Sequence, residues 1–510
     1  MTSTALYREL SETDSSLLIS IDHEHLDDGK DPSSIVIDQG EESWVDVFLQ
    51  AVLRAREAFA RNVTLSSQFR IDQLKKLRSC LVDHEEEFIE VLKSDFRKPR
   101  LESIITEIEF VKNDIQYQLD HLDGHMRPQY AKKGLANMFD DAFIKYDPYG
   151  VVLIFAAWNY PIQVLLCPLV GAIAAGNCAL IKPSEVASNT ERLLAKLLPN
   201  YLDQDCYHVI TGGPDEATRM LNERFDLIFF TGSPAVGRII YNSAAKFMTP
   251  VVLELGGKSP VYIDDSITQM EVAAKRIIWG KMVNAGQTCV APDYIMCTSN
   301  VQDKFIAAAR KVMKDFYQSN MKSSDSFSRI INTKNFDRLD KLLSNTKGKV
   351  TIGGETERNT CYIAPTIVSN VESSDSLMRE EIFGPILPIM TVDSANEAIE
   401  FINRGEKPLT LYIYSNKSDV VKQFLNQTSS GSVCVNDCLM QLTVHSLPFG
   451  GVGNSGIGKY HGTFSFEAFS HAKAVLVKDY NPLVEFLART KDASIEDVDR
   501  KESDRWHQLE

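Results

Sequence analysis

Cys289 follows Asn284-Ala285-Gly286-Gln287-Thr288, and Glu254 closes the apolar run Val251-Val252-Leu253 ahead of Leu255-Gly256-Gly257. A thiolate adds readily to carbonyl carbon, and a carboxylate beside it could act as its base. Single cysteines are more often packing residues, but the polar, small-residue stretch before Cys289 is poor core material. A carboxylate ending an apolar strand is costly without a role or a partner. Asn159, in Trp158-Asn159-Tyr160-Pro161, could donate an amide hydrogen bond to a developing oxyanion. By type alone it is equally a turn former. The three residue types together suit nucleophilic addition to a carbonyl.

A second group suits a nucleotide. The apolar run Phe225–Phe230 leads into Thr231-Gly232-Ser233-Pro234-Ala235-Val236-Gly237 at a helix start. Glycines there let a pyrophosphate approach the backbone, and a helix N-terminus favours its charge. The spacing is Gly-x4-Gly and not the full dinucleotide fingerprint, so alone it fits a plain strand-to-helix turn. Lys182-Pro183-Ser184-Glu185 follows another strand end. Lys182 and Glu185 could hold a ribose diol, the carboxylate favouring a free 2′-hydroxyl over a phosphate. The competing reading is a solvated loop with a capping serine.

The elements that must position these groups alternate. Strands are expected at Val151–Ala157, Cys178–Ile181, Tyr207–Ile210, Leu227–Phe230 and Val251–Leu255, with helices at 161–175, 188–200, 214–222 and 235–247 between them. Such alternation implies right-handed crossovers and a mostly parallel, doubly wound sheet that binds ligands at its strand carboxyl ends. Residues 43–125 read as helical, interrupted at Asp95-Phe96-Arg97-Lys98, and a short strand is expected near Ala142–Tyr146. A second alternating unit spans about 258 to 445, and Pro448–Tyr480 is glycine-rich and then strand-like. Pro148 to Ile181 holds no charged residue and is long enough for a membrane span. Asn159 and Pro161 interrupt it, so strand, buried helix and strand is the better reading.

Length and composition bound the rest. A chain of 510 residues exceeds one core and implies two or three lobes. The net charge of −15 argues against a nucleic-acid partner. Residues 1–42 hold eleven acidic residues against Arg8 and Lys30, the pattern of an acidic, disordered tail, and the C-terminal 491–510 is charged as well. Nine irregularly spaced cysteines suit a reducing compartment, and no metal site is expected, Cys434 and Cys438 lacking a second pair.

The stretches Ala157-Trp158-Asn159-Tyr160-Pro161, Leu253–Pro260, Gly286-Gln287-Thr288-Cys289, Glu380-Glu381-Ile382-Phe383-Gly384-Pro385 and Pro448-Phe449-Gly450-Gly451, in this order, resemble the aldehyde dehydrogenase superfamily. Lys93-Ser94-Asp95-Phe96-Arg97-Lys98-Pro99, Cys289–Tyr294 and Tyr460-His461-Gly462 resemble its class 3 and fatty aldehyde branch. The resemblance implies an α/β fold with a Rossmann-like cofactor lobe (43–123 and 150–253), a catalytic lobe (254–445) and a small antiparallel bridging element (124–149 and 446–490). It implies that Cys289 adds to the aldehyde, that Asn159 and the Cys289 N–H hold the oxyanion, and that Glu254 activates water against the thioester. Gly232 to Gly237, with Lys182 and Glu185, would hold NAD (or NADP), and Glu381 and Phe383 its nicotinamide ribose and ring. It further implies a homodimer and medium- to long-chain or aromatic aldehydes as substrates; the cysteine usage and an N-terminus without a basic, apolar signal sequence make a cytoplasmic location the expectation, with peripheral attachment to endomembranes or lipid droplets the alternative. A coenzyme A-acylating relative and a non-catalytic paralogue are the alternatives; Glu254, and the presence of all three reacting residues, speak against them. Three departures stand out: Pro234 replaces a common threonine, the Glu254–Cys289 interval is one residue longer than usual, and 481–510 hold no apolar membrane-spanning run. Peripheral membrane contact stays compatible with this.

Overall fold

The computed structural model describes residues 41–134, 137–138, 140–317 and 321–478. The chain divides into two compact units, 1–46 and 47–510. Of the first, only the opening of helix α1 (Glu41–Ala60) is described; the acidic stretch up to residue 40 and the charged C-terminal tail lie outside the described residues.

Helices α2 (Ser67–Asp83) and α3 (Glu85–Phe96) follow. Arg97 then turns left-handed at φ 52° and ends α3. The helix resumes at Arg100, widens into a five-residue π-turn (Ile104–Ile108) and continues as α4 (Glu109–Met126). Strand β1 (Asp141–Pro148) pairs antiparallel with a late strand, Ser470–Val477.

The charge-free run divides as its sequence suggests. Strand β2 (Val151–Phe155) is wholly buried, α5 (Gln163–Ala175) is buried on nearly every face, and β3 (Cys178–Lys182) is buried throughout. A helix apolar all round belongs in a core. Gly176 ends α5 at φ 90°, and a β-carbon there would collide with the Arg70 guanidinium, which donates to the Ala174 carbonyl at 3.0 Å. Then come α6 (Ser188–Tyr201), β4 (Tyr207–Val209), β5 (Leu227–Thr231), α7 (Pro234–Ala245) and β6 (Val251–Glu254). The first sheet has the order β6-β5-β2-β3-β4, all parallel, with Gly456–Ile457 pairing antiparallel along β6. Its chain order runs outward from β2 to β4 and then returns to the other side of β2. The topological switch point therefore lies between β2 and β5, where such sheets take their ligand.

The second sheet opens with β7 (Pro260–Ile263), followed by α8 (Met270–Met282). Its seven strands place β7 and the following Tyr294–Cys297 at the centre, with Thr366–Ser369 and Ile386–Thr391 on one side and Thr410–Tyr414 and Ser432–Val435 on the other. Only the outermost pairing, Lys349–Ile352 on Thr366–Ser369, is antiparallel. No helix among the described residues is long and apolar enough to cross a membrane.

Candidate active site

Asn159, Glu254 and Cys289 line one cavity of about 1250 Å³, together with Gly232, Ser233, Pro234, Ala235, Glu381 and Phe383. Each of the three comes from a strand or helix end: Asn159 just past β2, Glu254 at the last position of β6, Cys289 in the loop after α8. Four residues expected at the cofactor are not in that lining. Lys182 is buried at the end of β3, its ammonium 3.0 Å from Glu185, while Val236 faces outward. Gly237 sits against Leu255, whose methyl groups leave no room for a β-carbon, so its smallness serves helix-to-strand packing.

The nucleophile's loop is strained. Asn284, Ala285 and Gly286 are left-handed in succession, at φ 54°, 52° and 75°. Asparagine and glycine tolerate this region, but alanine costs roughly 1–2 kcal/mol there. Neighbouring groups hold the loop in place. The Asn284 N–H donates to Glu102 Oε2 at 3.0 Å, and its side-chain amide donates to the Asn159 carbonyl at 2.7 Å. The Gln287 amide donates to the Asn284 and Arg329 carbonyls, both at 3.0 Å, and accepts from the Ile331 N–H at 2.9 Å. Asn159 Nδ2 donates to the Gln287 carbonyl at 3.1 Å, which aligns the amide beside Cys289 and leaves its second N–H for a ligand. A β-carbon on Gly286 would collide with the Gly384 carbonyl. Gly286→Ala is therefore expected to lower stability by about 2–4 kcal/mol, strain and collision together. Urea unfolding monitored by circular dichroism checks this.

Charge in the cavity is poorly solvated. Glu254 is 3% exposed and neither of its carboxylate oxygens has a hydrogen-bond partner. Burial pushes its pKa well above the usual carboxylate range. Burial also pushes the Cys289 thiol up to about 12, with Glu381 and then Glu254 adding to the effect and the N–H groups of Cys289 and Val290 opposing it. Glu381 rises to about 8 through burial and the nearby Asp293, opposed by the Gly257 N–H, Lys258 and Lys281. Two buried carboxyl groups with raised pKa thus share the cavity with one thiol.

The loop carrying Glu381 and Phe383 is held on both sides. Lys258 Nζ donates to Asp293 Oδ2 at 2.6 Å and to the Leu377 and Glu380 carbonyls at 2.8 Å. Asp293 Oδ1 accepts from the Ile382 N–H at 3.1 Å, and Arg338 donates to the Ile382 carbonyl at 2.6 Å. Phe383 itself is left-handed at φ 51° and meets Trp158 edge-on, with centroids 5.4 Å apart. Lys258, Asp293, Gln287 and Glu102 had no assigned role at the sequence level. A charge next to glycines or within an apolar stretch was the available signal for the first two.

The residues fit a nicotinamide dinucleotide. The cavity reaches the N-terminus of α7, where Ser233 caps the helix through the Val236 N–H and Pro234 takes the first position, its missing N–H costing nothing there. Beside it the buried Thr231 hydroxyl has no partner. Both face the switch point of the first sheet. The same lining includes the apolar side chains Ile105, Phe110, Trp279, Leu439, Leu442, Phe449 and Tyr460.

The chain is similar to known proteins over most of its length. The sequence profile of the Aldehyde dehydrogenase family matches residues 34–475. "Aldehyde dehydrogenase family 3 member B1" of Bos taurus is 49% identical over 434 residues, covering 85% of this chain and 92% of that protein. "Aldehyde dehydrogenase family 3 member A2" of Rattus norvegicus is 48% identical over 427 residues, covering 84% and 88%. Among solved structures, the substrate-bound state of Staphylococcus aureus AldH superposes with a TM-score of 0.83 at 40% identity, covering 85% of this chain and 94% of that one.

Proposed function

The chain belongs to the aldehyde dehydrogenase family and oxidises aldehydes with a nicotinamide cofactor, and we propose that it acts by preference on medium- and long-chain or aromatic aldehydes through Cys289, Asn159 and Glu254. The observation that carries this reading is the cavity itself, whose lining joins thiol, amide and carboxylate to a helix N-terminus and to a set of apolar side chains.

Cys289, once its thiol has given up its proton to water, adds as the thiolate to the aldehyde carbon, and the resulting thiohemiacetal oxyanion takes hydrogen bonds from the free Asn159 N–H and the backbone N–H of Cys289. A nicotinamide held beside Phe383 and Glu381 would supply the acceptor for the hydride that leaves this carbon. Loss of hydride leaves a thioester on Cys289. Glu254, without a partner for either oxygen, takes a proton from water, and the hydroxide releases the carboxylic acid. Glu381 and Phe383 would orient the cofactor's ribose and ring. Glu185, paired with Lys182 at the end of β3, disfavours a 2′-phosphate, so NAD is the proposed cofactor over NADP. A coenzyme A acceptor would make the unpartnered carboxylate idle, which favours hydrolysis. We take the chain to be a homodimer on the family likeness, and cytoplasmic on its cysteine usage.

Steady-state turnover across acetaldehyde, hexanal, benzaldehyde and hexadecanal, with NAD and with NADP, tests the reading. We expect kcat/KM to rise at least about tenfold from acetaldehyde to the long-chain or aromatic aldehydes, since each buried methylene contributes roughly 0.8 kcal/mol. A flat profile, or one favouring acetaldehyde, would overturn the substrate assignment.

A further inference from the structure

Lys98 and Glu107 take no part in the chemistry above, yet they form an ion pair at 2.7 Å with no exposed surface on either side chain. Such a pair repays its desolvation only when further hydrogen bonds complete it. Here they do, and each leads to the reacting groups. The second Glu107 oxygen accepts the Ile162 N–H at 3.1 Å and the Gln163 N–H at 3.0 Å, fixing the chain three residues after Asn159. The Lys98 ammonium lies 4.1 Å from the centroid of the Tyr160 ring. The Tyr160 hydroxyl in turn meets the Thr288 hydroxyl at 2.7 Å, directly before Cys289.

The π-turn explains how one segment reaches all of these. In a regular helix, positions five apart diverge by roughly 140°. The π-turn over Ile104–Ile108 lies between Glu102 and Glu107 and reduces that divergence. Glu102 then accepts the Asn284 N–H while Glu107 holds the start of α5.

We propose that Lys98 and Glu107 are positioning residues for the reaction, setting Asn159 and Cys289 in register through the opening of α5 and the Tyr160–Thr288 contact. The inference rests on the reading above, in which Cys289 and Asn159 react. The pair fixes the distance between nucleophile and oxyanion donor from behind, without touching substrate.

The test is the double variant Lys98→Met with Glu107→Gln, which removes both charges and leaves neither buried alone. Its dehydrogenase rate, its cofactor-free hydrolysis of p-nitrophenyl acetate, alkylation of Cys289 by iodoacetamide and NAD+ binding are measured, with rates normalised to folded enzyme. Both catalytic rates are expected to fall about 10- to 100-fold and alkylation to slow, with the Kd for NAD+ within about twofold. A pair that only stabilises the fold would lower the melting temperature and leave normalised kcat untouched, which overturns the proposal. Should the double variant fail to fold, Tyr160→Phe replaces it. It is expected to lose roughly 3- to 10-fold in both rates at unchanged NAD+ affinity, and parental rates would overturn the proposal. Cys289→Ser alongside separates the two readings: its retained activity sinks the site assignment, whereas a dead Cys289→Ser beside a fully active double variant sinks only the positioning role.

Discussion

Replacing Cys289 with serine is expected to abolish aldehyde oxidation, with a loss of at least about 10³-fold in kcat, while NAD+ binding stays within a factor of about two. Serine preserves the shape of the loop and its left-handed residues, so stability should hardly change. What it removes is the thiol at the cavity centre, and with it the thioester. Even the native thiol starts at a disadvantage, pushed up to about 12 by burial and by Glu381 and Glu254. A hydroxyl, far less acidic, has no route to an anion there. Single-turnover measurement of NADH formation, with cofactor binding followed by fluorescence, checks both halves. Substantial turnover in the variant would mean that the nucleophile is elsewhere.

Glu254→Gln should separate the two halves of the reaction. Steady-state kcat is expected to fall by about 10²- to 10⁴-fold, because water then attacks the thioester without a base. Thioester formation should survive as a burst of NADH equal to the enzyme concentration, and mass spectrometry should find the acyl group on Cys289. The same substitution should stabilise the protein, since it replaces a buried carboxyl that has no hydrogen-bond partner. The sign follows from linkage. Burial raises the folded-state pKa of Glu254 above its unfolded value. Below the unfolded value both states hold the proton and there is no penalty. As pH climbs above it, the unfolded chain gains from ionising while the folded chain does not, and stability falls until the folded pKa is passed. The melting-temperature advantage of Glu254→Gln should therefore grow from about pH 4 upward. An advantage that shrinks with pH would show that the carboxylate is stabilised by a partner.

Much of this was legible in the sequence where periodicity and local chemistry agree. The strands of the first sheet lie within two residues of their expected bounds, because uncharged β-rich runs alternate with amphipathic stretches. In the second sheet two strands carry prolines, Pro260 at the start of β7 and Pro388 inside Ile386–Thr391. Proline speaks against a central strand, yet Pro388 sits in one, in register with Val368. The rule gave way there to burial on both faces. The reacting residues were legible by type and by family resemblance, but their support was not. Nothing local marks Asn284 and Ala285 as left-handed; that conformation depends on Glu102 and on the Gln287 amide, one of them remote in sequence. Lys98 read as part of the break between two helical stretches and Glu107 as part of the second, since burial of a charge depends on what the rest of the chain brings to it.

The hydrogen bond between Glu102 and the Asn284 N–H joins groups 182 positions apart, and Tyr160 meets Thr288 across 128. A centre closed by such distant contacts can form only after most of the chain has been synthesised and both sheets exist. Loop closure on that scale is slow relative to local helix formation. The partly folded chain therefore holds an unaligned cysteine without an oxyanion donor beside it, and competence to react arrives with the last stage of folding.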